Sequence, residues 1–137
     1  MIIVDTGPLV AAADADDHDH ERCVAIFRTA RRPWLVPQPV IAKVCYMPER
    51  ERGSQAESAF LRSFGRRDLA LAPLTVEDTE RMAELVDAYA DLRLGGVDAS
   101  VIAIAERLNV ATVATLNRRD FTVVRPRHVK ALTLIPE

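Results

Sequence analysis

Asp5, Asp98 and Asp120 are the residues of this sequence best placed to do chemistry, and the chemistry open to them is that of a divalent cation. Asp5 follows the β-branched run Ile2-Ile3-Val4 and precedes Thr6-Gly7-Pro8, so it stands at a strand tip that breaks into a turn. Asp98 opens an apolar helical stretch, and Asn117 and Asp120 follow a strong strand pattern. Carboxylates gathered together raise one another's pKa and resist ionisation, a conflict that a cation resolves. Oxygen donors without Cys or His spacing favour Mg2+ or Mn2+ over zinc. Such an ion, alone or as a two-metal pair, can serve phosphodiester hydrolysis. Spacing alone also leaves plainer readings open, with Asp98 as a helix N-cap and Asp120 as a turn residue.

The elements that must bring these residues together are short. Strands are expected at Ile2 to Val4, Trp34 to Val36, Val110 to Thr115 and Leu132 to Ile135, with a brief one at Leu69 to Leu71. Helical spacing runs from His20 to Ala30 and from Pro39 through Val40, Ile41, Val44 and Met47, where Pro48 should kink or end the helix. Ser54 with Glu57 marks a capped helix over Gln55 to Phe64, and Thr75 with Asp78 marks another through Tyr89. Val97 to Leu108 is apolar nearly all round and should be a central helix ending at Asn109. Strands alternating with helices predict α/β architecture, with a mostly parallel sheet and helices on both faces. Ligands of such sheets bind beyond the carboxyl ends of the strands, where Asp5, Asn117 and Asp120 fall.

At 137 residues, 49% of them hydrophobic, the chain is expected to form one domain over residues 1–137 with a proper core. No apolar run is long enough to span a bilayer, and no basic segment precedes Ile2, so a cytoplasmic protein without a signal peptide is expected. Cys23 and Cys45 have no CxxC spacing and read as packed thiols. A net charge of −2 gives no bulk attraction to nucleic acid, so binding would rest on local arginine pairs such as Arg118-Arg119. Trp34, between apolar neighbours, reads as core and not as a stacking platform.

Three segments together, Ile2-Ile3-Val4-Asp5-Thr6-Gly7-Pro8-Leu9-Val10, Gly96-Val97-Asp98-Ala99-Ser100 and Ala114-Thr115-Leu116-Asn117-Arg118-Arg119-Asp120-Phe121, resemble a PIN domain of the VapC toxin type. The resemblance covers essentially the whole chain; no single motif is specific, but the set in this order is. It implies a three-layer α/β/α sandwich and a Mg2+- or Mn2+-dependent endoribonuclease, often a homodimer, that cuts RNA in the cell and is silenced by a VapB antitoxin. It further implies that Asp5 and Asp98 are metal ligands, supported by hydrogen bonds from Thr6 and Thr115. Arg118 and Arg119 become candidates for RNA phosphate contacts. Apolar positions around Val40 to Met47 and Ala56 to Phe64 could form a groove for an antitoxin segment or be plain core.

Two departures from the family pattern matter. The acid expected in the helix after the second strand falls at Lys43, and the usual Asp after Thr115 is Asn117, which leaves Asp120 as the acid of that segment. A protonated lysine cannot ligate a metal and replaces a local −1 by +1. The expectation is a weakly active or inactive copy, in which the Lys43 ammonium partly fills the site by pairing with Asp5 or Asp98. A shifted register would instead make Glu49 or Glu51 the acid. Two competing functions are an aspartyl-phosphate phosphotransferase, disfavoured because Gly7 stands where its second acid belongs, and a PIN-fold binding module that keeps its interfaces and does not cut.

Overall fold

The structure is a computed structural model that describes residues 1–47 and 53–137. Five strands, β1 (Ile2–Val4), β2 (Trp34–Pro37), β3 (Ala70–Ala72), β4 (Thr112–Ala114) and β5 (Thr133–Ile135), form one sheet in the order β3-β2-β1-β4-β5. Every pairing is parallel, where the sequence predicted a mostly parallel sheet. Central strands of such a sheet are covered on both faces, so they read as continuous apolar runs and not as alternating ones. Ile2, Ile3 and Val4 are accordingly all buried, while the edge strand β3 leaves Leu71 exposed.

Seven α-helices and a short 3-10 helix (Ala90–Leu92) complete the described chain, the α-helices being α1 (Thr6–Ala13), α2 (His20–Thr29), α3 (Gln38–Tyr46), α4 (Gly53–Gly65), α5 (Val76–Ala88), α6 (Gly96–Leu108) and α7 (Arg118–Val123). The architecture is a three-layer α/β/α sandwich. Among the described residues, no helix is long and apolar enough to cross a membrane. Residues 99 to 105 of α6 are all buried, which makes it the central helix its composition predicted, and Asn109 ends it in the left-handed conformation at φ 56°. Thr75 and Asp78 form a reciprocal capping box at the start of α5. The helix α5 is also tied to α6 by a forked ion pair, Arg81 Nε and Nη2 to Glu106 Oε1 and Oε2 at 2.8 and 2.9 Å, and by Arg107 on Asp78. Trp34 is buried, edge-on to Phe27, as a core residue should be.

Four expectations are corrected. Residues 6–13 are a helix and not merely a turn, because Asp5 caps it, Pro8 suits its first turn and Ala11 to Ala13 propagate it. Arg118 to Val123 is also a helix, with Asn117 as its cap. Ser54 is not a cap: α4 already includes Gly53, whose φ of 71° is open to glycine. Nor is Asp98 an N-cap; Gly95 holds that position and Asp98 lies in the first turn of α6, where a carboxylate complements the helix dipole. The expected break at Pro48 and the alternative acids Glu49 and Glu51 lie outside the described residues.

Candidate active site

The strand order places a crevice beside β1, because the chain leaves β1 for β2 on one side and returns through β4 on the other. Register does the rest. Val4 pairs with Ala114, so the next residues, Asp5 and Thr115, emerge side by side at the carboxyl end of the sheet. The Asp5 N–H donates to the Ala114 carbonyl at 2.9 Å, and the Thr115 hydroxyl donates to Asp5 Oδ2 at 2.9 Å. Asp5 Oδ1 accepts from the Thr6 N–H at 2.8 Å. The support expected from Thr6 thus comes from its backbone. Its own hydroxyl is buried and has no hydrogen-bond partner among the described residues.

Thr115 is fully buried and serves two neighbours, since its oxygen also accepts from the Asn117 N–H at 3.0 Å. Replacing it by Val keeps the shape but strands a carboxylate acceptor and an amide donor. Thr115→Val is expected to destabilise the protein by about 2 kcal/mol, the cost of buried polar groups left unsatisfied, measured by urea unfolding. Close packing also fixes the crevice wall. A Cβ on Gly7 would meet Leu116 Cβ at 3.1 Å, so the start of α1 lies close against the loop after β4 and a larger residue there would require Leu116 to shift by a few tenths of an ångström. Sequence reading took Gly7 as part of a turn and as an absent acid, and missed this close approach because Leu116 is its neighbour only in the fold.

Asp120 comes from the first turn of α7, held by Asn117. The Asn117 side-chain amide donates to Asp120 Oδ2 at 2.9 Å, while its carbonyl oxygen faces the Asp120 N–H at 3.4 Å as a helix cap. Asn117 therefore orients Asp120, and its oxygen is occupied by the cap. The arginine pair divides. Arg118 donates to the carbonyls of Leu134 and Pro136 at 3.2 and 2.8 Å, bracing the end of β5. Arg119 is 84% exposed, its one ion-pair contact among the described residues being Asp120 at 3.9 Å.

Electrostatics show that the three acids share one neighbourhood. Burial pushes the Asp5 carboxyl up, against the Thr6 and Thr115 hydrogen bonds and the Lys43 charge. Asp98 is pushed up to about 6, first by burial and then by Asp5, with Asp120 adding to the rise and Lys43 opposing it. Lys43, in the last turn of α3, is exposed and makes no ion pair among the described residues. The direct pairing expected of it with Asp5 or Asp98 is absent there; its charge acts on both through space.

A fit to a metal can be tested on these atoms. Among the described residues, no group of three or more His, Cys, Asp or Glu side chains is close enough to cage an ion. Mg2+, however, is commonly held by one or two carboxylates and keeps its waters. Asp5 and Asp98, with Asp120 beside them, suit a hydrated and weakly held ion, and the unpartnered Thr6 hydroxyl leaves a polar atom for its surroundings.

An apolar cavity of about 270 Å³ lies between α1, α3 and α4, lined by Leu9, Val10, Val44, Met47, Ala56 and Phe60 together with acidic side chains that include Asp14, Asp17 and Glu57. No residue of α4 is fully buried, while Phe60 and Phe64 pack partly buried against the core, so this side serves the core and lines the cavity at once.

The PIN domain family model matches residues 2–125. Ribonuclease VapC26 of Mycobacterium tuberculosis is 32% identical over 135 residues, covering 98% of this chain and all of that protein. Among solved structures, Mycobacterium tuberculosis VapC20, a Sarcin-Ricin loop cleaving toxin, aligns with a TM-score of 0.81 at 18% identity, covering 95% of this chain and 99% of that one. VapBC2 of Rickettsia felis, bound to a promoter DNA fragment, aligns at 0.66 and 20% identity, over 98% and 97% of the two chains. The acids that register and capping gather beside β1 therefore sit in a chain that belongs to the PIN domain family, of the VapC ribonuclease type.

Proposed function

We propose that this chain, acting as one domain over residues 1–137, is a VapC-like endoribonuclease of the cytoplasm. What supports the reading is that Asp5 and Asp120 lie just beyond the carboxyl ends of β1 and β4 and that the charges of both raise the Asp98 carboxyl. Asp5, Asp98 and Asp120 would hold a divalent cation, Mg2+ or Mn2+, which supplies charge neutralisation and activation of water toward an RNA phosphodiester. Thr115 and the Thr6 N–H fix the Asp5 carboxylate, and Asn117 fixes Asp120. Lys43, where the family pattern has a glutamate, removes one donor and adds a resident positive charge, so this copy binds metal weakly and cuts slowly.

The partner proposed for the groove between α1, α3 and α4 is a VapB-type antitoxin presenting apolar anchors, and the toxin itself is proposed to be a homodimer. A second reading, a non-cutting binding module of the same fold, is favoured by Lys43 and by the lack of a caged donor set among the described residues. Thermal unfolding with Mn2+ separates the two. At about ten times the dissociation constant a bound ion stabilises by about 1.4 kcal/mol, which should raise the melting temperature of the wild type and not of Asp5→Asn. No shift at millimolar Mn2+ would favour the module.

A further inference from the structure

We propose that Lys43 and Arg119 form a clamp for RNA phosphates that engages RNA before any metal does. This rests on the reading of the site as a ribonuclease site and adds an order of events to it. The two cations are placed by topology. Lys43 stands on α3, which follows β2, and Arg119 on α7, which follows β4; β2 and β4 are the two neighbours of β1, whose end carries Asp5. The Lys43 charge acts on Asp5 and Asp98 and Arg119 lies 3.9 Å from Asp120, so each of two helices brings one positive charge to the acids.

Both charges are available. Lys43 is exposed and forms no ion pair among the described residues. Arg119 is 84% exposed and its 3.9 Å contact with Asp120 is of the kind that contributes little in solvent. Arg118 cannot join them, because its guanidinium is committed to the Leu134 and Pro136 carbonyls. An acidic crevice repels a polyanion unless something neutralises it. A glutamate at position 43 would leave that task to the metal; Lys43 changes the local balance by two charges and gives the phosphates a protein partner. RNA binding in the absence of metal follows, as does weak sequence preference, since phosphate contacts position a strand without reading bases.

Fluorescence anisotropy of a short labelled single-stranded RNA, titrated with the full chain in EDTA over a series of salt concentrations, tests this. Each phosphate contact to a single strand contributes a salt slope of about 0.7, so Lys43→Ala and Arg119→Ala should each weaken binding about fivefold at 0.1 M salt and flatten the slope by about that amount. Lys43→Arg should retain binding. Identical affinity and slope for wild type and Lys43→Ala would overturn the clamp, as would an absence of wild-type binding in EDTA. Mn2+-dependent cleavage by the wild type at saturating RNA, and its loss in Asp5→Asn, reports separately on the ribonuclease reading. Cleavage that Asp5→Asn abolishes, with unchanged alanine variants, removes the clamp alone; flattened slopes with no wild-type cleavage at any Mn2+ concentration retain the clamp and remove the nuclease.

Discussion

Lys43→Glu is expected to raise Mn2+-dependent RNA cleavage by about 100-fold or more, chiefly by raising affinity for the ion. The Lys43 charge reaches both Asp5 and Asp98, so it opposes a cation held by the same two groups. Unit charges ~8 Å apart at an effective dielectric of ~20 interact by about 2 kcal/mol. The substitution changes the field by two units, and the ion carries two charges, so several kcal/mol are at stake even after screening. The gain should appear at low Mn2+ and narrow toward saturation, in single-turnover cleavage of a fluorescent RNA followed across a metal titration. Cleavage equal to wild type at every Mn2+ concentration would mean that position 43 does not govern the site. Lys43→Glu should also melt at a lower temperature than wild type without metal, because it removes the charge that eases the ionisation of Asp5 and Asp98.

The fold was largely legible because its strands are buried runs and its helices are punctuated. Ile2-Ile3-Val4, the Thr75 and Asp78 box and the αL Asn109 each state their role locally. The helix after Asp5 was obscured by Gly7 and Pro8, which read as a break although Pro8 belongs comfortably in a first turn. At the site, Asp5 and Asp120 stood out by following strands and Asp98 by opening a helix; the family resemblance named Thr6 and Thr115 as supports, but not which of their atoms would serve. That Thr115 donates to Asp5 follows from the register of β1 on β4, and register is a tertiary fact. The split between Arg118 and Arg119 is of the same kind: adjacent arginines in sequence, one bound to the end of β5 and one in solvent. Asn117 resembled a weakened ligand in sequence and is in the structure the cap that holds Asp120.

Asp98→Asn is expected to abolish metal binding and to make the metal-free protein more stable at neutral pH, by about 2 kcal/mol. Burial, Asp5 and Asp120 raise the Asp98 carboxyl to about 6 from its ordinary 3.8, with Lys43 only partly offsetting them. At 1.36 kcal/mol per unit, that rise corresponds to about 3 kcal/mol, discounted here because the side chain is only half-buried. The folded protein holds this proton more tightly than the unfolded chain. Below pH ~4 both states are protonated and the group costs nothing; between about 4 and 6 the unfolded chain ionises first and stability falls; above 6 the full penalty persists. Asp78 and Glu106, held below the usual range by Arg107 and Arg81, act in the opposite direction and are common to both proteins. The difference in melting temperature between Asp98→Asn and wild type should therefore grow from near zero at pH 4 to about 5 to 10 °C by pH 7. A difference that stays flat with pH would show that Asp98 is not destabilised by its neighbours. Mn2+ should shrink the difference by stabilising the wild type alone, because the repulsion that makes the metal-free crevice costly is the same interaction that a cation converts into binding.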